Sequence, residues 1–307
     1  MSLRLSILGC HSATPRSFAY PTSQFLEMNG DHFLIDCGEG TQLQLRKQRI
    51  KFSRIKHIFI SHLHGDHFFG LIGLISTFSL LSRETDLHIY GPKGIKNIIE
   101  LQLRLTDSRL NYYLEFHELE SKKSELIYEN DKVTVHTIPL KHRIYTNGFL
   151  FREKTKERKI DIDEVRKYPE IETCDYHHLK KGKDYTLSNG QVITNKDLTF
   201  DPPQPLSYAF CSDTAYHPDM IPQIRGVDLL YHESTFLEDR AELARNTRHS
   251  TALQAAKTAG MAEVKTLLLG HYSSRYKDEE LFLKEAKTVF ENVILSHEGD
   301  VITIENS

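Results

Sequence analysis

Residues 62–67, which spell His-Leu-His-Gly-Asp-His, constrain the fold of this chain more than any other segment. They follow an apolar stretch, residues 57–60, that is typical of a buried strand and ends at Ser61. Gly65 permits a tight turn, and a helix that begins near Asp66 holds the last two ligand-type side chains rigidly. Imidazole and carboxylate together suit zinc, with iron or manganese as alternatives. Three histidines and an aspartate within six residues therefore predict a metal site, and their spacing provides ligands for two adjacent metals.

A site with two metals needs more ligands than this segment contains, so others are expected downstream. The candidates are His142, Asp213 and His271. Each lies just past a predicted strand, and these strands are residues 132–139, 207–212 and 265–269. Loops at the ends of strands bring together side chains that are distant in sequence. Alone, each residue is better explained as an ordinary polar loop residue, but as a set with the histidine-rich segment they favour a metal site.

Apolar patterns elsewhere alternate between strands and helices in both halves of the chain. The other predicted strands are residues 3–8, 24–28, 32–36, 87–90, 112–118, 229–232 and 301–305. The predicted helices are residues 41–48, 68–81, 95–105, 238–244, 252–259 and 279–290. Two α/β halves predict helices packed outside a pair of stacked sheets.

Residues 152–205 separate these halves and differ from them in composition. Charged side chains crowd the region, with basic clusters at 154–159 and 180–183, and few apolar positions recur periodically. We therefore expect an inserted flexible arm, rather than a second core, within a single domain that spans residues 1–307. A solvated surface excursion explains the charge as well as a binding function does.

Composition restricts the partners and the compartment of the protein. The net charge of −3 does not by itself indicate a nucleic-acid-binding surface. No apolar run reaches the ~18–20 residues that span a bilayer, so we expect no membrane association. The N-terminus lacks the pattern of a secretory signal, and the four cysteines form no Cys-x-x-Cys pair. A cytoplasmic protein is therefore expected.

Several segments resemble the ribonuclease Z branch of the metallo-β-lactamase superfamily. The segments that carry the resemblance are residues 33–42, 61–67, 91–94, 231–236, 249–251 and 270–276. The signature at 61–67 is shared by the whole superfamily, whereas Glu233 and the His-x-Thr motif at 249–251 are more specific for ribonuclease Z. The arm contains the family's Leu-Lys-x-Gly segment at 179–182 but lacks the Gly-Pro motif that usually precedes it.

The resemblance implies an αββα sandwich with two Zn²⁺ per subunit at one edge. The implied ligands are His62, His64 and His142 for one metal, Asp66, His67 and His271 for the other, and Asp213 as the bridge. The implied activity is that of an endonuclease that removes the 3′ trailer from tRNA precursors and leaves a 3′-hydroxyl. Family members are typically homodimers, and the arm is the implied tRNA exosite.

The resemblance also assigns roles in the reaction. Two metals about 3.5–4 Å apart lower the pKa of a bridging water and stabilise charge on the phosphate. Asp66 is the candidate acceptor of the water's proton, and His249, oriented and kept charged by Glu233, is the candidate acid for the departing oxygen. The candidate RNA contacts are Ser273, Arg275, Tyr276, Lys180 and Lys181.

Two alternatives remain open. The first is another hydrolase or phosphodiesterase of this fold that acts on a small substrate, such as a thioester, lactone, β-lactam or cyclic nucleotide. The presence of Glu233 and His249 disfavours it. The second is a non-catalytic RNA-binding relative, which the complete set of candidate ligands disfavours.

Overall fold

The computed structural model describes residues 2–17 and 19–305, and these contain eighteen strands and eleven α-helices. The strands are β1 (Ser2–Gly9), β2 (Ser23–Met28), β3 (Asp31–Ile35), β4 (His57–Phe59), β5 (Leu87–Pro92), β6 (Leu114–Leu119), β7 (Leu126–Glu129), β8 (Val133–Pro139), β9 (Asn147–Glu153), β10 (Lys159–Ile160), β11 (Tyr185–Thr186), β12 (Val192–Ile193), β13 (Thr199–Phe200), β14 (Ser207–Cys211), β15 (Leu229–Glu233), β16 (Thr266–Gly270), β17 (Val293–Leu295) and β18 (Val301–Glu305). The α-helices are α1 (Thr41–Lys47), α2 (Gly65–Phe68), α3 (Gly70–Leu80), α4 (Ile95–Leu105), α5 (Ile162–Val165), α6 (Tyr176–Lys180), α7 (Asn195–Leu198), α8 (Ile221–Ile224), α9 (Ala241–Thr247), α10 (Ala252–Met261) and α11 (Glu280–Ala286). None of the helices in this part of the chain is long and apolar enough to cross a membrane.

Fourteen of the strands form two seven-stranded sheets. The first has the order β18-β1-β2-β3-β4-β5-β6, and the second has the order β17-β16-β15-β14-β9-β8-β7. Strands β3 to β6 are parallel, and so are β14 to β17. The carboxyl ends of parallel strands meet at one edge of a sheet, so the loops after β4, β14, β15 and β16 share such edges.

The two sheets pack face to face through aromatic side chains. The ring of Phe33 lies 5.2 Å from that of Phe151, and the ring of Phe59 lies 5.4 Å from that of Phe149. All four are buried in one cluster that also contains side chains of α10 and α11, which cover the second sheet. In the first sheet, the side chains that alternate with Phe33 and Phe59 along the strands point to the opposite face. They form a second buried cluster together with residues of α1, α3 and α4. Helix, sheet, sheet and helix therefore form four layers, as the sequence predicts.

The helix predicted over residues 68–81 is interrupted at Phe69, where α2 gives way to α3. The amide of Gly70 donates to Cys37 O (2.9 Å), and the amide of Cys37 donates to His67 O (2.7 Å), so the loop after β3 replaces part of the helical ladder. A Cβ atom at Gly70 would lie 2.1 Å from the backbone of this loop, which therefore requires glycine there. The interruption fixes the histidine-rich segment against the loop after β3.

Residues Lys154–Pro205 form a compact unit of their own. Within it, β10 pairs with β13 and β11 pairs with β12. Its buried apolar side chains cluster together, and they are Val165, Ile171, Leu179, Ile193 and Leu198. The sequence predicts no core here, because these positions recur at irregular intervals along a highly charged segment. The structure differs: the segment has a small core.

Candidate active site

The first group of candidate ligands combines three histidines with one aspartate oxygen. His62 and His64 follow β4, His142 follows β8, and Asp213 follows β14. His64 Nδ1 lies 3.1 Å from His62 Nε2 and 3.3 Å from His142 Nε2. Asp213 Oδ2 lies 3.5 Å from His62 Nε2 and 3.8 Å from His142 Nε2. Four donor atoms from three loops therefore surround one position.

The second group uses the other oxygen of the same aspartate. Asp213 Oδ1 lies 3.1 Å from His271 Nε2 and 3.3 Å from His67 Nε2. Asp66 Oδ2 lies 3.4 Å from each of these two nitrogens. Asp213, which is buried, thus offers one oxygen to each group. The structure brings all seven candidate ligands together in two adjoining groups that share Asp213.

Each of four ligand histidines has its other ring nitrogen held by an oxygen. His67 Nδ1 lies 2.7 Å from Asp36 Oδ2, and His271 Nδ1 lies 2.8 Å from Thr235 Oγ1. The remaining two contacts are His62 Nδ1 to Ser61 Oγ at 3.0 Å and His142 Nδ1 to Arg248 O at 2.9 Å. Partners of this kind orient metal-binding imidazoles.

Three residues beside the cluster have left-handed backbone conformations. The φ angles are 54° for Asp36, 59° for Arg248 and 62° for His271. Such conformations are costly for non-glycine residues and persist only where the surrounding contacts enforce them. Asp36 is anchored by Ser61, whose amide and hydroxyl both donate to its carboxylate at 2.7 and 2.8 Å. Three of the residues that place or support ligands are thus held in a strained conformation.

The charge of the second group fits a bound cation. Burial favours the neutral form of His67, but Asp213, Asp66 and Asp36 outweigh burial and raise its pKa well above the ordinary value. Its Nε2 atom is buried and has no hydrogen-bond partner in the described part of the chain. A buried nitrogen that faces two carboxylate oxygens without a hydrogen bond is the environment of a metal ligand.

A histidine–glutamate pair lies next to these two groups. His249 Nδ1 lies 2.9 Å from Glu233 Oε1, and His249 Nε2 faces the metal groups, 4.0 Å from Asp213 Oδ2. Burial favours neutral His249, but Glu233 and Asp213 outweigh it and raise the pKa of His249 to about 9. Burial raises the pKa of Glu233, but His249 reverses this effect and lowers it. Both shifts favour an ionised glutamate beside a protonated histidine.

Glu233 is fully buried, and backbone and side-chain donors saturate its carboxylate. The amide of Thr214 donates to Oε1 at 3.0 Å. The amide and the hydroxyl of Thr235 donate to Oε2 at 3.0 and 2.6 Å. These donors stabilise the ionised form and leave the carboxylate no freedom to rotate away from His249.

Proteins of known identity align with nearly the whole chain. The ribonuclease Z of Bacteroides fragilis is 48% identical over 300 residues, which cover 98% of this chain and 98% of that protein. The ribonuclease Z of Bacteroides thetaiotaomicron is 48% identical over 302 residues, which cover 98% and 95%. The chain belongs to the ribonuclease Z family. A family model described as anti-Pycsar protein Apyc1 also matches residues 3–294.

Solved structures confirm the predicted fold. The short form of human tRNase Z superimposes with a TM-score of 0.71 and 26% identity, over 97% of this chain and 98% of that one. The metallo-β-lactamase fold protein YhfI from Bacillus subtilis superimposes with a TM-score of 0.69 and 17% identity, over 98% and 99%. The four layers are therefore the metallo-β-lactamase fold, and the His and Asp groups at its edge form a metal-binding site.

The predicted RNA contacts occupy very different environments. Arg275 is exposed and is able to reach a phosphate. Ser273 is buried, and its hydroxyl accepts from Arg275. Tyr276 is buried as well, with its ring 5.1 Å from Phe282 and its hydroxyl donating to Asp239. This placement gives Tyr276 a packing role, and its contact with an RNA base stays a prediction.

The arm residues Lys180 and Lys181 are exposed at the end of α6. They belong to the small unit Lys154–Pro205, and their part in RNA binding stays a prediction. That unit contains ten basic and ten acidic side chains, so only local clusters such as this one are basic.

Two supporting residues of the ribonuclease Z site have no role in the sequence-based prediction. Asp36 and Thr235 contact ligand histidines, yet neither is in the predicted ligand set. Both lie in segments that resemble the family, 33–42 and 231–236. The sequence contains one signal for each: a side chain with an oxygen atom lies at or just past the end of a predicted strand.

Proposed function

We propose that the protein is an endoribonuclease that removes the 3′ trailer from tRNA precursors and leaves a 3′-hydroxyl on the tRNA. One observation carries the proposal. His249 is bound to Glu233 through Nδ1, and its Nε2 lies 4.0 Å from Asp213, the residue that both metal groups share. The metal groups suit phosphodiester hydrolysis, and the protonated histidine suits departure of a ribose oxygen. Membership of the family points to tRNA as the substrate.

We propose two Zn²⁺ per subunit as the resident metals. The residues that would hold them are His62, His64, His142 and Asp213 in one group and Asp66, His67, His271 and Asp213 in the other. Nitrogen and oxygen donors at these separations suit zinc. When bound, the two ions supply Lewis-acid chemistry, which makes water acidic and stabilises charge on the phosphate.

The chain's own residues complete the proposed reaction. Burial raises the pKa of Asp66, but His67 and His271 outweigh burial and hold it well below the ordinary value, so this carboxylate stays ionised and orients the attacking water. His249 carries a proton on Nε2 and donates it to the departing O3′ of the tRNA. Glu233 holds the ring in place through Nδ1 and keeps it protonated until the transfer.

A cleft of about 830 Å³ beside His142 favours the proposal of a polyanionic substrate. Its basic lining side chains are Lys122, Lys141, Arg245 and Arg248. Lys141 is paired with Asp219 at 2.8 Å, which leaves three other cations along the cleft. Phosphates of an RNA strand that enters the site would lie against these cations.

We also propose that the arm, residues Lys154–Pro205, is the exosite for the body of the tRNA. Lys180 and Lys181, exposed on α6, would contact phosphates far from the cleavage site. The equal number of acidic and basic residues in this unit means that such contacts depend on a few positions rather than on overall charge.

A homodimer and a cytoplasmic location complete the proposal. Phe69 is 65% exposed and lines one cleft with Leu43 and another with Ile72 and Ile98. An exposed apolar surface of this kind suits a second copy of the chain. Light scattering tests it: Phe69→Asp should yield monomers, and an unchanged mass would contradict this interface. The four cysteines are all free thiols, which suits a reducing compartment.

The decisive experiment offers a 3′-extended tRNA precursor and bis-p-nitrophenyl phosphate to the same enzyme. We expect the wild type to cleave the precursor at the end of the tRNA body, and Asp66→Ala and His249→Ala to be severely impaired. His297→Ala is the matched control, because this half-exposed histidine lies outside both metal groups. An intact precursor alongside hydrolysis of the small ester would favour a small-molecule phosphodiesterase. No hydrolysis of either would favour a non-catalytic RNA-binding protein.

A further inference from the structure

A separate cluster of metal-binding side chains lies at the opposite ends of the parallel strands. His88 is the second residue of β5, and Glu115 is the second residue of β6. His88 pairs in register with Glu115, and His117 follows two residues later, so all three side chains project from the same face of the sheet. The catalytic ligands, by contrast, follow the carboxyl ends of the strands. In β4 the residue in register with His117 is Phe59, which precedes the first catalytic ligand, His62, by three positions.

The three donor atoms converge at distances that match the coordination shell of one metal ion. His88 Nδ1 lies 3.2 Å from His117 Nε2 and 3.2 Å from a carboxylate oxygen of Glu115. His117 Nε2 lies 3.8 Å from the other oxygen of that carboxylate. Ligands about 2.0–2.2 Å from a zinc ion are roughly 3.0–3.5 Å from each other, in tetrahedral or octahedral geometry.

A single proton satisfies this arrangement poorly. His88 Nδ1 lies 3.2 Å from both His117 Nε2 and a Glu115 oxygen, and a proton on either imidazole nitrogen makes only one linear hydrogen bond. A divalent cation accepts a lone pair from each of the three atoms at once. Two imidazoles and one carboxylate are also a donor set that zinc and other first-row divalent ions prefer.

Neighbouring aromatic rings hold both histidines in place. His117 is stacked on Tyr90 with ring centroids 4.2 Å apart and planes 7° apart. His88 is stacked on His57 at 5.0 Å and 20°. The ligand side chains are still accessible, with exposed fractions of 28% for His88, 33% for His117 and 46% for Glu115. The donors are therefore positioned before a metal binds, and solvent reaches them.

We propose that His88, Glu115 and His117 form a second, non-catalytic binding site for a divalent transition-metal ion of the zinc class. The protein supplies three ligands, and water completes the coordination. A metal there links β5 to β6, the edge strand of the first sheet. The site is distinct from the catalytic groups in sequence, strand end and ligand set.

The test measures zinc bound to the full-length chain after equilibrium dialysis against Zn²⁺. The variants are His117→Gln and Glu115→Gln, each of which removes one donor while keeping a polar side chain. The matched control is His32→Gln, because His32 is a partly buried strand histidine 3.8 Å from Glu27 without a second imidazole partner. We expect the wild type and His32→Gln to hold one more zinc per chain than the two site variants. This difference does not depend on how many metals the catalytic groups hold.

Thermal unfolding provides a second measurement. Added Zn²⁺ should raise the melting temperature of the wild type more than that of Glu115→Gln, because a ligand that binds only the folded state stabilises it. Equal zinc contents in all four proteins would overturn the proposal. So would the same loss in His32→Gln, or a loss of more than one zinc from Glu115→Gln, since this half-exposed side chain has no part in the catalytic groups.

Discussion

The metal-binding edge and the arm use polar residues in opposite ways. At the edge, seven ligand side chains are buried or nearly so, and oxygens fix four of the histidines from behind. In the arm, five apolar side chains form the core, and charged side chains such as Lys180 and Lys181 face solvent. The edge rests on two seven-stranded sheets, whereas the strands of the arm have two residues each.

This difference matches the function that we propose for each region. Metal ligands must be placed to within a fraction of an ångström, so rigid strands and buried hydrogen bonds are needed. Contacts with RNA phosphates tolerate movement, because long-range attraction and flexible lysine side chains supply them. Substitutions at the edge should therefore impair chemistry on every substrate, and substitutions in the arm only on RNA.

The largest effect should come from Asp213→Ala, which removes an oxygen from both metal groups at once. We expect the rate to fall by about 10³-fold or more on both the tRNA precursor and bis-p-nitrophenyl phosphate, since the variant forfeits several kcal/mol of charge stabilisation. Steady-state kinetics measure this. Asp201→Ala, an exposed aspartate in the arm, is the control and should leave the small ester unaffected. An Asp213→Ala variant that is impaired only on RNA would contradict the inferred difference between the metal-binding edge and the arm.

The next effect concerns His249. His249→Ala should lower kcat by about 10²–10⁴-fold, because the departing oxygen loses its proton donor. The wild-type rate should fall as pH rises through the pKa of His249, near 9, since only the protonated form donates. Glu233→Gln removes the charge that raises this pKa, so this alkaline limb should move to lower pH. A pH–rate profile that is the same in wild type and Glu233→Gln would exclude His249 as the acid.

A smaller effect tests the residues behind the ligands. Asp36→Asn should weaken metal binding by about 10–100-fold, because His67 loses the carboxylate that orients it. Competition with a chelating dye measures this affinity. Asp31→Asn in the same strand segment is the control, since Asp31 contacts Asn130 rather than a ligand. Equal affinities for the two variants would show that the edge tolerates looser support than we infer.

The smallest effect should come from the arm. Lys180→Ala combined with Lys181→Ala should raise KM for the tRNA precursor a few-fold and leave kcat on the small ester unchanged. The slope of log KM against log salt concentration should fall by about 1 for each lysine that no longer binds a phosphate. Lys196→Ala, in α7 of the same unit, is the comparison variant. A changed rate on the small ester would show that the arm takes part in chemistry.

The sequence predicts the metal-binding residues better than it predicts the contacts between distant segments of the chain. All seven ligand candidates are histidines or aspartates in segments that follow apolar strands, and the hydrophobic pattern that locates a strand also locates the residues that follow it. The order of the four layers follows from the alternation of predicted strands and helices along the chain. Glu233 and His249 depend on the family resemblance, since a buried glutamate has no local signature.

Other features depend on interactions that local patterns do not contain. The break at Phe69 arises because the loop after β3 captures the amide of Gly70, an interaction between distant residues. The core of the arm is built from irregularly spaced side chains, so no period reveals it. Tyr276 is polar and aromatic in a surface-type segment, yet Phe282 and Asp239 hold it inside.

The hydroxyl of Thr235 has one hydrogen and therefore a direction. It gives that hydrogen to Glu233, so towards His271 it acts only as an acceptor. His271 must then carry its proton on Nδ1, which leaves the lone pair of Nε2 pointing at the metal group. One hydroxyl thus selects the tautomer of a metal ligand and at the same time secures the partner of the acid. Thr235→Ser would keep the hydrogen bonds to both Glu233 and His271, whereas Thr235→Val, which has the same shape, would remove both.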